Sequence, residues 1–167
     1  MLHETSSPTL TQELRVAAYA VCIRDGKILL TRWVRTNGKQ WTLPGGGILH
    51  GEDPYDAAIR EVAEETGYAV AVQRLLGLDT IHRRVPRDTG TELDFHGLRI
   101  IYAANVVSGA LRHEVGGTTD RAAWIHLDHV GGLDRVGLVD IGMELDRTHP
   151  LLGRLESGCL DDPTKRA

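Results

Sequence analysis

Apolar and polar positions change their period several times along the chain. In "RVAAYAVCIRDGKILLTRWV", two apolar runs flank Asp25-Gly26. That dipeptide predicts a two-residue hairpin, because both central residues of a type I′ turn need positive φ. "TNGKQ" predicts a loop and "WTLP" a short strand ending at Pro44. From Asp53 to Thr66 the period becomes helical. Asp53 suits the N-cap, Pro54 the first helical position and Gly67 the left-handed residue past the end. Beyond it, "AVAVQRLLGLDTIH" predicts one strand or two short ones, and "RRVPRDTGTELD" a polar, breaker-rich loop. "FHGLRIIYAANVVSG" predicts a long strand, "LRHEVGGTTDR" a glycine-rich loop and "AAWIHL" a further strand. Leu133, Val136, Val139 and Leu145 are spaced for a last helix ending near Thr148, with Gly137 and Gly142 weakening it. This order predicts an α/β class, a mixed sheet with helices on both faces.

Residues 1–14 are expected to form a flexible arm, 15–152 a single domain and 153–167 a polar tail. A length of 167 residues suits one domain, and 41% apolar with 25% charged residues is a globular composition. The net charge of −4 argues against a general nucleic-acid binder. There is no apolar run long enough to span a membrane and no basic-then-apolar leader. Cys22 lies in an alternating apolar run and is expected in the core; Cys159 lies in the polar tail and is expected as a free thiol. Both readings favour a reducing, cytoplasmic setting.

At 100° per residue, Glu61, Glu64 and Glu65 share one helix sector with the small Ala57. Tyr55, Ala58, Ile59, Val62, Ala63 and Thr66 form a separate apolar sector. Like charges at i, i+3 and i, i+4 repel, and negative charge near a helix C-terminus opposes the macrodipole. A hard divalent cation such as Mg2+ or Mn2+ offsets both costs, since it takes oxygen ligands and prefers carboxylates, waters and phosphates. Ala57 is expected to leave room for such ions. The plainer alternative is a solvated acidic face relieved by Arg60. The preceding "LPGGG" weighs against it, because a backbone free of Cβ lets a ligand approach closely. It is not a P-loop: Gly46 and Gly51 have the right separation, but Glu52 and Asp53 follow in place of Lys and Ser/Thr.

Gly46, Glu52, Arg60, Glu61, Val62, Glu64, Glu65 and Gly67 fill every fixed position of G-x5-E-x7-R-E-U-x-E-E-x-G-U, where U is bulky and aliphatic. Over residues 46–68 the chain therefore resembles the Nudix hydrolase family; Tyr68, aromatic at the last U, is the one mild departure. The resemblance implies an α/β/α sandwich with its box helix at about 53–66. It implies divalent-metal-dependent hydrolysis of the diphosphate in a nucleoside diphosphate linked to X: a nucleoside triphosphate, a nucleotide sugar or ADP-ribose. It also implies Glu61, Glu64 and Glu65 as metal ligands, with the Gly46 carbonyl as a further one, and Arg60 and Glu52 as partners that fix the ligands. The general base stays open between Glu64, Glu65 and the loop acids Glu114 and Asp120, with Glu92 and Asp94 as weaker candidates. The partner implied is a small nucleotide, with no nucleic acid or membrane, and relatives leave a homodimer open. The alternative is a non-catalytic, nucleotide-binding Nudix-like module.

Substrate selectivity must come from outside the box. Arg32, Arg35, Lys39, Arg83, Arg84 and Arg87 are cations in or beside predicted loops. Arg32, Arg35 and Arg84 are the expected phosphate contacts among them, with Trp41 as the stacking candidate ahead of Trp33 and Tyr102. His126 and His129 lack a third partner and form no metal pattern.

Overall fold

A computed structural model describes residues 9–36, 38–87 and 91–156. Among the described residues, eight strands and three helices follow one another: β1 (Thr9–Val21), β2 (Ile23–Arg24), β3 (Lys27–Arg35), β4 (Gly38–Thr42), β5 (Gly45–Gly47), α1 (Pro54–Thr66), β6 (Tyr68–Arg87), β7 (Thr91–Gly109), β8 (Thr119–His126), α2 (Leu127–Val130) and α3 (Leu138–Thr148). One sheet runs β5-β1-β7-β6 and is mixed, with β1 and β7 parallel and the other pairs antiparallel. In the second sheet β3 pairs with β2, β4 and β8.

Strand alternation sends side chains to two cores. Val21, Ile28, Leu30 and Ile101 point to the side where Leu138, Val139, Ile141 and Leu145 of α3 pack. Ala20, Cys22, Leu29 and Ala104, one residue out of phase, pack with Val62 of α1. The result is an α/β/α sandwich with a mixed sheet in the middle layer. The Asp25-Gly26 turn forms as expected, with φ of 51° and 70°. The α1 boundaries also match: the Asp53 side chain accepts a hydrogen bond from Tyr55 N, and Gly67 is left-handed at φ 76°.

Several expectations change. Two expected loops are partly strand: β4 begins at Gly38 within "TNGKQ", and β8 begins at Thr119 within "LRHEVGGTTDR", because each pairs with β3. The stretch expected as an arm is already strand from Thr9, because β1 pairs with β7 in register from Thr9↔Thr91; residues 1–8 lie outside the described part. Most of the expected loop "RRVPRDTGTELD" is strand, since β6 and β7 form one long hairpin. Pro86 is tolerated there because β6 is an edge strand. The last helix starts at Leu138 rather than Leu133; residues 134–136 instead bond to Trp41, with Trp41 N donating to Asp134 O at 2.9 Å and Val136 N to Trp41 O at 2.9 Å. Gly142 is what α3 needs mid-helix, because a Cβ there would lie 2.6 Å from Leu43 Cδ1. The expected tail begins inside the body. Leu78 N donates to Gly153 O at 2.8 Å, and Leu155 packs on the first core. Cys22 is a buried free thiol, while Cys159 lies outside the described residues. No described helix is long and apolar enough to cross a membrane.

Candidate active site

The glycines of β5 are shaped by their neighbours. Gly45 has φ 143°, and a Cβ on it would lie 2.3 Å from Ala18 O, so only glycine lets β5 lie this close to β1. A Cβ on Gly46 would lie 2.7 Å from the Glu61 carboxyl carbon, which brings backbone and carboxylate into direct contact. Gly67 ends α1 and makes a second close approach: Arg112 N donates to Thr66 O at 2.9 Å, and a Cβ on Gly67 would strike Ala110 O at 2.6 Å. The loop carrying Glu114 is thereby fastened to the end of the box helix.

The three box glutamates differ sharply. Glu65 is 4% exposed, and its Oε2 accepts from Gly45 N at 2.9 Å and from Thr31 Oγ1 at 3.3 Å. Burial, with Glu61 and Glu114 adding repulsion, pushes its carboxyl up to about 8. Among the described residues its hydrogen-bond donors are neutral, an N–H and a hydroxyl. Glu61 is mostly covered and Glu64 is half exposed; Arg60 Nη1 reaches them at 2.7 and 3.3 Å. Arg60 also forks onto Glu52, Nε to Oε1 at 2.7 Å and Nη2 to Oε2 at 2.9 Å, and donates to Gly47 O at 3.1 Å. That fork, with the Leu49 N–H, holds the Glu52 carboxyl down to about 2.

Ala57 does not make room for ions. It is buried with Ala18, Ala58, Ile48 and Tyr102, and its small size lets α1 approach β1. Tyr55, expected on the apolar side, is 44% exposed and meets Tyr102 edge-on, with ring centroids 6.3 Å apart.

Glu61, Glu64, Glu65, Glu114 and Gly46 all line one cavity of about 420 Å3. Glu114 Oε2 is oriented by Thr119, accepting from its N at 2.9 Å and its Oγ1 at 2.7 Å. Asp120 is elsewhere, clamped by Arg32 at 2.9 and 3.1 Å and by Lys39 at 2.6 Å. Those cations hold its carboxyl well below the usual range. Arg32 is therefore committed to Asp120, and Trp41 lies under Arg32 and Arg121 at 5.8 and 5.9 Å, outside the cavity lining. Arg84 is exposed on the β6–β7 hairpin away from the cavity. Asp94 pairs with His82 at 2.5 Å on that hairpin, and neither Asp94 nor Glu92 lines the cavity. Arg35 does line it, and so does Trp33, but Arg35 stacks over the Trp33 ring at 4.6 Å. The rings of His126 and His129 touch edge-on at 5.7 Å.

The sequence reading missed Arg15, Tyr19, Phe95 and Arg99, which also line the cavity. Arg99 left a trace: it interrupts the apolar run "LRIIY", and Asp79 interrupts "LLGLDTI". The two stand directly opposite each other across β6 and β7 and form a mostly buried ion pair, with Arg99 Nε donating to Asp79 Oδ2 at 2.8 Å.

A sequence profile of the NUDIX domain matches residues 13–141. The chain belongs to the Nudix family. Among relatives of this Nudix chain, an ADP-ribose pyrophosphatase of Methanocaldococcus jannaschii is 34% identical over 98 residues, covering 58% of this chain and 54% of that protein. An RNA pyrophosphohydrolase of Sphingopyxis alaskensis is 48% identical over 44 residues, covering 26% and 28%. The match thus spans about half, or less, of those relatives' length. Among solved structures, a NUDIX hydrolase of Nitrosomonas europaea superposes with a TM-score of 0.64 at 28% identity, covering 81% of this chain and 89% of that one.

The donor set of the Nudix box suits a hard divalent ion, being made of carboxylates and a backbone carbonyl. Among the described residues, however, no three His, Cys, Asp or Glu side chains converge as a ready cage. Arg60 Nη1 lies against both Glu61 and Glu64, and the Gly45 N–H holds Glu65. The crowding of four acids around one cavity, with Glu65 lacking a cationic partner among the described residues, is the feature that fits a cation.

Proposed function

We propose that this chain hydrolyses the diphosphate linkage of a nucleoside diphosphate joined to a group X. It would release a nucleoside monophosphate and phosphorylated X, or pyrophosphate from a triphosphate, with Mg2+ as cofactor and Mn2+ as substitute. The observation that carries the reading is the meeting of Glu61, Glu64, Glu65, Glu114 and Gly46 in one cavity. Glu61, Glu64 and Glu65 would hold the metal, with the Gly46 carbonyl as a further ligand. The bound cation supplies neutralisation of phosphate charge and Lewis acidity.

The chain's own residues do the rest. Arg60, held on Glu52, orients Glu61 and Glu64, so that the ligands keep their rotamers. Glu114, oriented by Thr119, accepts a proton as water oxygen bonds to phosphorus and the anhydride P–O bond breaks. Asp120 is not assigned that role, because Arg32 and Lys39 neutralise it.

The test is turnover of a panel of nucleoside triphosphates, nucleotide sugars and ADP-ribose with Mg2+, in wild type, Glu64→Gln and Glu114→Gln. Turnover lost in Glu64→Gln and lowered in Glu114→Gln supports the assignment. Tight nucleotide binding without product would instead favour a non-catalytic binding module.

A further inference from the structure

The cavity has two unlike walls. Opposite in charge to the carboxylates, Arg15 of β1, Arg35 of β3, Arg83 of β6 and Arg99 of β7 also line it. Arg99 is paired with Asp79; the other three have no carboxylate partner among the described residues. Arg83 is the most exposed to this imbalance in energetic terms. Its Nε is buried with no hydrogen-bond partner, and its guanidinium lies over the Phe95 ring at 5.2 Å. Burial first, and then the nearby Arg35 and Arg99, push its pKa down, against the attraction of the Phe95 ring for the cation. Arg35 is fixed in the same way, stacked on Trp33 and donating from Nη1 to Gln40 Oε1 at 3.3 Å. Stacking of this kind presents a flat guanidinium edge, the geometry that matches phosphate.

Like charges held together, one of them with an unused buried donor, repel one another, and an anion that joins them relieves that cost. No carboxylate of the other wall makes an ion pair with Arg15, Arg35 or Arg83 among the described residues. Glu61 and Glu64 are taken by Arg60, Glu65 by Gly45 and Thr31, and Glu114 by Thr119. Nor is the scissile diphosphate enough, because its charge is the one the cation neutralises. The first turn of α3 adds to the field: Gly137 and Leu138 line the cavity, and that helix end has no side-chain cap.

We propose that Arg83, with Arg35, Arg15 and Arg99, forms a metal-independent anion subsite that takes a terminal phosphate on X. This rests on the diphosphate-hydrolase reading and narrows it. Nucleoside triphosphates and other phosphate-ended substrates are favoured over nucleotides whose X is a neutral sugar. A neutral X leaves the clustered guanidinium charges of Arg83, Arg35 and Arg15 without a counter-charge in a partly desolvated place, a situation that discriminates between substrates.

Two measurements test it. The first compares kcat/KM for the four nucleoside triphosphates with that for ADP-ribose and UDP-glucose. Wild type should favour the best triphosphate by about tenfold or more. Arg83→Gln should remove most of that preference by lowering only the triphosphate value, while Arg84→Gln, outside the cavity, should keep it. Equal use of neutral-ended substrates by wild type, or an equal loss on both classes in Arg83→Gln, overturns the proposal. The second uses EDTA-treated protein and inorganic tripolyphosphate. Saturable thermal stabilisation of wild type and Arg84→Gln, with little in Arg83→Gln, is expected; no stabilisation of wild type overturns it. If nothing in the panel turns over, the hydrolase reading fails, and the tripolyphosphate measurement still decides the subsite.

Discussion

Arg60 donates two parallel hydrogen bonds to Glu52, at 2.7 and 2.9 Å, and its remaining nitrogen reaches both Glu61 and Glu64. One guanidinium thus connects the loop before the box helix to two of the acids proposed to hold metal. Replacing it with Lys keeps the charge and loses the fork. Arg60→Lys and Glu52→Gln should each lower Mg2+ affinity or kcat/KM by about 10–100-fold. Metal titrations monitored by activity check this, with circular dichroism expected to show an unchanged fold. The Glu52 carboxyl is depressed to about 2, so its contribution to stability is complete above pH 4.5 and fades as pH falls toward 2. Acid unfolding of Glu52→Gln should therefore differ from wild type below pH 4.5 in shape as well as midpoint.

Glu65 has the opposite sign. Its carboxyl is raised from 4.5 to about 8, so the metal-free folded state holds a proton that the unfolded chain has released. Its contribution is full below pH 4.5 and is lost as pH rises to 8. In EDTA, wild type should lose stability across that window. Glu65→Gln should lose less, melting about 3 °C or more above wild type at pH 8, given about 2–4 °C per kcal/mol for a domain of this size. Equal melting temperatures at pH 8 would contradict the burial argument.

Two adjacent glycines should behave differently. Gly46→Ala meets the far end of the Glu61 side chain, which can swing away. The protein should fold, with kcat/KM down by about tenfold or more as that ligand is displaced. Gly45→Ala meets the Ala18 backbone and sits at φ 143°, so it should cost about 1–3 kcal/mol or more in stability. Melting curves and activity of the pair separate the two effects.

Cys22 is buried, and burial pushes its thiol up to about 12. In a Cys159→Ser background, a thiol reagent at pH 8 should leave the folded protein unlabelled and label it fully in denaturant.

Local chemistry made part of this legible in the sequence. Asp25-Gly26, the Asp53-Pro54 start and Gly67 are short-range signals, and the box positions have fixed spacing. What escaped depends on partners distant in sequence. In the sequence Glu65 is indistinguishable from Glu61 and Glu64 in one helix sector; Thr31 and Gly45, from other strands, are what bury it. Only the far part of the β6–β7 hairpin, "RRVPRDTGTELD", reads as a loop, because many of its polar side chains face solvent and no apolar alternation marks it. Arg83 lay in that misread loop, and only the strand assignment places it beside Phe95 and the cavity. Asp120 looked like a free loop acid until Arg32 and Lys39 were found on it.

The most direct test of the central claim is an anomalous difference map from crystals soaked in Mn2+ with a non-hydrolysable nucleotide. Density is expected for at least one ion bound by Glu61, Glu64 and Glu65, with Glu61 and Glu64 swung off Arg60 and phosphate oxygens completing the shell. A bound nucleotide with no manganese at those side chains would contradict it.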